Sequence, residues 1–125
     1  MAWEVIWEPR GVVRRFSGTL TLDDLLTSVD VVQKDLRYDR LRYSINDLLA
    51  VEDFADPDSI IRGIELVLGQ AIGGSFSNGN LVMAIVATQP GVVAVAQAFL
   101  GGVVPYPVKL FSTVEEARAW VNSTF

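Results

Sequence analysis

The sequence predicts an α/β fold: a mixed sheet of four to five strands that starts with an antiparallel hairpin and packs against about four helices. Three observations predict this fold. Short segments with the apolar pattern of strands alternate with segments of helical period, and helix-capping residues precede several of the helical segments. The length of 125 residues suits one compact domain spanning residues 1–125.

The first segments predict a hairpin followed by a helix. Residues 3–7 and 11–16 read as two strands, and the connection from Glu8 to Gly11 has Pro and Gly where a type I turn prefers them. Thr21 is predicted to begin the first helix with an acidic variant of the capping box. The apolar residues that then recur at helical spacing are Leu22, Leu25, Leu26, Val29, Val32 and Leu36.

The middle of the chain predicts a central strand, an acidic loop and a second helix. Residues 41–49 alternate and then become continuously apolar, as expected of a central strand. Residues 51–56 are predicted to form the loop. Asp56 and Pro57 are typical of a helix N-cap and of the first helical position. The apolar residues of this second helix are Ile60, Ile61, Ile64, Val67 and Leu68.

The last part of the chain continues the alternation of predicted strands and helices. Residues 69–80 are rich in glycine, and their second half is predicted to be a loop. Residues 81–88 predict a buried strand, residues 91–100 a third helix and residues 108–111 the last strand. Capping residues at 112 and 113 open the fourth helix.

Four segments carry a family resemblance: GVVRRFSGTLT at 11–21, RYDRLRYSIND at 37–47, VMAIVAT at 82–88 and KLFSTVEEARAWV at 109–121. Their order and spacing resemble the SpoIIAA-like group of small STAS-like proteins, which are related to bacterial anti-sigma-factor antagonists and more distantly to CRAL-TRIO lipid-binding domains. The resemblance implies a mixed sheet with helices mostly on one face and a regulatory or binding role without chemistry.

The resemblance also implies a candidate phosphorylation site. In the antagonists a phosphorylated serine lies at the start of the helix after the third strand, where this chain has Asp56, Pro57, Asp58 and Ser59. Ser59 is then a displaced acceptor. The alternative is that Ser59 is an ordinary polar residue in the first turn of the helix.

The composition argues against catalysis. The chain has no cysteine and no histidine, so no thiolate nucleophile and no histidine base are available, and we expect no enzyme activity, no cofactor and no metal. One acidic cluster follows the third strand; its members are Asp47, Glu52, Asp53, Asp56 and Asp58. Such carboxylates could hold a hard cation or share a proton, whereas helix capping and a solvated loop explain the same residues. Asp47 lies in an apolar run and needs a partner.

Charge and the N-terminus bear on partners and location. The net charge of −5 disfavours nucleic-acid binding, which needs a basic face. Arg10, Arg14 and Arg15 are interpreted as edge-strand charges on the hairpin, with contact to an anion or an acidic partner as the alternative. Acidic residues stand where a signal peptide would be basic, and no apolar run is long enough to span a bilayer, so we expect a cytoplasmic protein.

The segment from residue 66 to residue 108 contains no Asp, Glu, Lys or Arg. So long a segment cannot be entirely buried in a small domain, and part of it must form a surface. We expect this apolar surface on the second and third helices and the residues around them. Its predicted binding residues are Phe76, Val92, Val95, Phe99, Leu100, Val104 and Tyr106.

Three occupants of that surface are considered. A second copy would make a homodimer, an apolar small molecule or a membrane surface would make the chain a carrier, and a different protein would make it a regulatory module. If the residues lie on the surface, Phe99→Asp or Val95→Asp should break association and leave the fold intact.

Overall fold

A computed structural model describes residues 2–124 of the chain. In chain order, the elements are β1 (Trp3–Trp7), β2 (Gly11–Leu20), α1 (Leu22–Lys34), a 3-10 turn (Tyr38–Arg40), β3 (Tyr43–Phe54), α2 (Pro57–Arg62), α3 (Ile64–Ser75), β4 (Val82–Val86), α4 (Pro90–Leu100), β5 (Val108–Phe111) and α5 (Val114–Ser123).

The strands form one five-stranded sheet in the order β1-β2-β3-β4-β5. β1 and β2 pair antiparallel, and every later neighbour pair is parallel. Gly11, Tyr43 and Val82 lie side by side in the register, so three of the parallel strands start at the same edge of the sheet. The mixed sheet with an N-terminal hairpin is therefore confirmed.

The sheet separates two unequal helical layers. α1 to α4 cover one face and α5 covers the other. Side chains along β2 alternate between them: Val12 and Phe16 pack under α1 to α4, whereas Val13 packs in the cluster that includes Ala117 of α5. The larger layer buries most of the apolar residues and contains the candidate sites described below.

Side-chain caps fix the starts of four helices. Thr21 and Asp24 form the predicted capping box at α1, with each side chain bonded to the other residue's backbone N–H. Asp56 accepts from the backbone N–H of Ser59 at the start of α2, as predicted. Gln89 and Thr113 cap α4 and α5 in the same way. Local sequence chemistry thus determines where these four helices begin, whereas α3 starts at Gly63 without a side-chain cap.

Three predicted boundaries are wrong. The second strand was predicted to end at residue 16, but β2 continues to Leu20. Residues 51–56 are not all loop, because β3 continues to Phe54 and buries Val51 and Phe54 under the helices. The second predicted helix divides at Gly63 into α2 and α3, and α3 extends to Ser75 through the first half of the glycine-rich segment. Gly63 packs against Leu22, whose side chain occupies the space that a Cβ at position 63 would need.

A bilayer-spanning helix is not found within residues 2–124, where each helix is too short or too polar for that role.

Candidate functional site

Most of the predicted surface residues lie in the interior. Val92, Val95, Phe99 and Tyr106 are buried, and Leu100 is half-buried. Val104 is also half-buried and packs against the main apolar cluster. The prediction that these residues form an exposed surface is wrong for the four buried ones. Val92, Val95 and Phe99 lie on the side of α4 that packs on the sheet and α3, and Tyr106, which follows α4, packs in the main apolar cluster.

The outward side of α4 explains the error. Its exposed positions are occupied by Pro90, Gly91, Ala94 and Gln97, none of which is a large apolar residue. Because the sequence of this helix is apolar on every side, a binding partner was expected to bury its outer side. Small outward residues remove that need, since they expose little apolar area.

The exposed apolar surface of the uncharged segment lies on α3 instead. We use the name α3 face for the outward row Leu66, Gly69, Ile72, Gly73 and Phe76, all of which are exposed. Phe76 is 88% exposed and Leu66 is 59% exposed, both unusually high for large apolar side chains. Phe76 is therefore the one predicted binding residue that the structure places fully at the surface.

Small and apolar residues extend this surface. A Cβ at Gly69 or Gly73 would meet no atom within 4 Å, so the backbone of α3 is accessible at both positions. The loop after α4 adjoins the same helix, because Gly102 packs on Leu68, and it presents Val103 with 79% of its surface exposed. No charged side chain follows Glu65 in this region.

A cavity of about 110 Å³ lies between the sheet and the helices α1, α3 and α4. Its lining is mostly apolar and includes Phe16, Met83, Ile85, Val95 and Phe99. Val95 and Phe99 of α4 thus line this cavity.

One charged side chain, Arg14, lines this cavity among residues 2–124. Arg14 is 7% exposed; its Nε donates to Asn46 Oδ1 at 2.8 Å and its Nη1 donates to Ser28 Oγ at 3.0 Å. Its carbon Cζ lies 5.6 Å from the ring centre of Phe16. No carboxylate within residues 2–124 forms an ion pair with it.

Burial dominates the titration of the polar groups at this cavity. Loss of hydration lowers the pKa of Arg14 to about 10, a value at which the guanidinium is still charged at neutral pH. Burial also raises the pKa of Tyr106 to about 12, so its phenol stays protonated. Arg14 and Tyr106 are close enough to influence each other's pKa. A cation and a hydroxyl donor therefore face the same apolar space.

Sequence reasoning missed the special position of Arg14. It grouped Arg10, Arg14 and Arg15 as edge-strand charges, but β1 is the edge strand and β2 lies inside the sheet. Because side chains alternate along a strand, Arg14 faces the helices while the exposed Arg15 pairs with Glu4 on the other side. The alternation of Val12, Arg14 and Phe16 was the signal that could have identified the buried arginine.

The acidic cluster has structural partners. Asp47 accepts from the backbone N–H of Leu49 and lies 3.8 Å from Arg15, which supplies the partner expected for it. Asp53 accepts from Thr19, and Asp56 caps α2. No three acidic side chains within residues 2–124 come together as metal ligands. The structure does not bring Asp47, Asp53 and Asp56 into one site.

Ser59 lies in the first turn of α2 and is half-buried. Its backbone N–H donates to Asp56 Oδ1 at 3.2 Å. This is the capping arrangement of an ordinary first-turn residue, and phosphorylation of Ser59 stays a prediction.

The order of strands, the antiparallel first pair and the four helices on one face define a STAS-like α/β fold. Comparison with solved structures identifies it more closely as the SpoIIAA-like fold. The anti-sigma factor antagonist SpoIIAA in its unphosphorylated form is similar with a TM-score of 0.59 and 17% identity, over 97% of this chain and 98% of that one.

Two further solved structures have a similar fold. The phosphorylated form of the Bacillus cell fate determinant SpoIIAA has a TM-score of 0.58 and 18% identity, over 96% of this chain and 99% of its own. An uncharacterised protein of the DUF3478 family with a SpoIIAA-like fold, from Shewanella loihica PV-4, has a TM-score of 0.56 and 13% identity, over 96% and 92%. No protein-family model and no curated protein matches the sequence.

Proposed function

We propose that the chain is a non-catalytic protein-binding module that associates with a second copy of itself through the α3 face. The observation that carries this proposal is the exposure of Leu66, Ile72 and Phe76 along α3 and its C-cap, where no charged residue follows Glu65. Burial of large apolar side chains by a partner is favourable, at roughly 25 cal/mol per Å² of apolar surface removed from water.

The absence of charge favours a second copy as the partner. A two-fold interface brings identical patches together, so any net charge on the patch would face itself and repel. Beyond Glu65, the α3 face carries no charge that could do so. The open positions at Gly69 and Gly73 allow another helix to approach closely, because side-chain size sets the distance between packed helices.

Two further observations support a binding role. The chain has no histidine and no cysteine, which leaves the commonest catalytic bases and nucleophiles absent. The fold is similar to that of SpoIIAA, an anti-sigma factor antagonist, and this likeness supports a regulatory role in which the module acts by binding another protein. Assembly through the α3 face is the part of the proposal that can be tested on the purified chain.

The test is the mass in solution, by light scattering and native mass spectrometry, for the wild type and for Leu66→Asp. We expect a wild-type dimer at micromolar concentration and a Leu66→Asp monomer. The matched control is Leu49→Asp: Leu49 is also exposed but belongs to β3, outside the α3 face, and this variant should remain dimeric. A monomeric wild type, or a Leu66→Asp dimer, would disprove the proposal.

The same samples test membrane association. Flotation with vesicles of phosphatidylcholine and phosphatidylglycerol should leave the protein in the soluble fraction. Vesicle binding that Phe76→Asp abolishes would show that lipid, rather than a second copy, covers the α3 face.

A small-molecule carrier is the second candidate function, and the cavity under the helices favours it. At about 110 Å³ it is smaller than the roughly 300–1,000 Å³ of most ligand clefts, so it does not accommodate a whole lipid. It is closer to the roughly 150 Å³ of a protein cavity that admits benzene.

A further inference from the structure

The cavity combines an apolar lining with a buried cation that has no counter-ion. The side chains around it include no Asp, Glu or Lys within residues 2–124 and no arginine other than Arg14. A buried charge normally has an opposite charge or coordinates a ligand, because hydration is lost on burial. The charge of Arg14 is therefore the feature of the cavity that needs an explanation.

The hydrogen bonds of Arg14 explain its orientation and leave its charge uncompensated. Asn46 Oδ1 and Ser28 Oγ accept from Nε and Nη1, and both acceptors are neutral. Ser44 donates to the same Asn46 oxygen, at 3.3 Å, which holds the amide in place. Neither of these two hydrogen bonds uses the second terminal nitrogen of the guanidinium, Nη2.

We infer that this cavity binds a small apolar monocarboxylate, whose carboxylate pairs with Arg14 and whose apolar part contacts the buried side chains of α4. An anion of single charge matches the single cation that the lining provides. A phosphate dianion would leave a second negative charge buried without a partner.

The volume and the lining of the cavity determine which apolar group the ligand can carry. A space of about 110 Å³ suits a group near the size of a benzene ring or a short branched acyl chain. Met83, Ile85, Val95 and Phe99 supply the apolar walls, and the protonated Tyr106 supplies a second donor among them. The ligand class is thus a short or aromatic carboxylic acid in its ionised form.

The experiment is calorimetric titration of the full chain at pH 7 with benzoate and 3-methylbutanoate, each compared with its neutral amide. We expect the carboxylates to bind about tenfold or more tightly than benzamide and 3-methylbutanamide, since a neutral amide cannot compensate the charge of the guanidinium. Equal affinity of acid and amide would overturn the inference. So would the absence of carboxylate binding up to roughly 10 mM, or equal affinity for inorganic phosphate.

Two substitutions test whether Arg14 is the residue that binds the carboxylate. Arg14→Met should remove the preference for the acid, whereas the same change at the exposed neighbour, Arg15→Met, should leave it unchanged. Loss of the preference in both variants would disprove a specific role for Arg14. If Arg14→Met does not fold, methyl NMR of the wild type gives the answer: benzoate should shift the signals of Ile85 and Val95, and shifts confined to surface methyls would overturn the inference.

Discussion

Arg14 on β2 and Asn46 on β3 are register partners in adjacent parallel strands, and their side chains are joined by a hydrogen bond of 2.8 Å from Nε to Oδ1. The acceptor is a neutral amide where a carboxylate is the usual partner of a buried arginine. The same oxygen also accepts from Ser44. A single amide oxygen thus orients a charged group and a hydroxyl group beneath the helices, and it leaves the charge uncompensated.

This arrangement predicts a non-additive effect of two substitutions. Asn46→Leu should lower the free energy of unfolding by about 1–3 kcal/mol, because it leaves Arg14 Nε and the Ser44 hydroxyl without an acceptor. Adding Arg14→Met removes the unsatisfied donor, so the double variant should be more stable than Asn46→Leu alone. Urea unfolding of the two single variants and the double variant measures the coupling. Additive losses would contradict the prediction.

Glu8 predicts a pH dependence of stability. Arg118 on α5 donates to both carboxylate oxygens of Glu8, at 2.7 and 3.1 Å, and Tyr43 also donates to it. The hydrogen bond from Arg118 lowers the pKa of Glu8 below its ordinary value of 4.5. Burial acts in the other direction and raises the pKa, but by less. A carboxyl group whose pKa is lower in the folded state stabilises the fold above pH 4.5 and loses that contribution as the pH falls through the folded pKa.

The measurement is urea unfolding of the wild type and Glu8→Gln at several pH values between 7 and 3. The wild type should be more stable at pH 7, and the difference should shrink below pH 4.5. Glu52→Gln, at an exposed position on β3, is the control and should show no such convergence. A difference between wild type and Glu8→Gln that is as large at pH 3 as at pH 7 would exclude this role for Glu8.

The elements of the fold could be predicted because local signals specify them. Asp56 and Pro57 start α2 where expected, and residues 108–111 form the last strand as predicted. β3 was predicted too short, since the acidic residues 52 and 53 resemble a loop. They are tolerated in a strand because they are exposed, while Val51 and Phe54 are buried. Burial of neighbours depends on tertiary packing, which the local pattern does not contain.

The candidate sites were harder to predict for the same reason. The uncharged segment does form a surface, but the sequence did not show which helix presents it. Phe76 was identified as a surface residue, whereas Leu66 was assigned no role. The cavity depends on how α1, α3 and α4 lie over the sheet, and no local pattern encodes that arrangement.

Phe76 and Phe99 are predicted to respond in opposite ways to the same substitution. Phe99→Asp should unfold the protein or cost several kcal/mol, because it buries an unpaired carboxylate and removes a large core side chain. Phe76→Asp should change stability by no more than about 0.5 kcal/mol, since the ring is exposed, while it abolishes association. Thermal unfolding and light scattering on both variants test this. A stable Phe99→Asp monomer would place Phe99 at an interface after all.

Adjacent glycines on α3 provide the sharpest test of how closely a partner approaches. Gly74 is buried against Gln33 and the Tyr38 hydroxyl, so Gly74→Ala should destabilise the fold by about 1–3 kcal/mol. Gly73 faces open space, and Gly73→Ala should stabilise the monomer by about 0.5–1 kcal/mol, because alanine favours a helix over glycine. Urea unfolding at protein concentrations too low for dimer formation measures the stability of both variants.

The dimer should respond to Gly73→Ala in the opposite direction from the monomer. If a second α3 packs directly over Gly73, the added methyl group holds the two helices apart and weakens association even though each monomer is more stable. Sedimentation of wild type and Gly73→Ala over a dilution series measures this difference. Unchanged association would show that the partner does not contact α3 at Gly73 and would restrict the interface to the side chains of Leu66, Ile72 and Phe76.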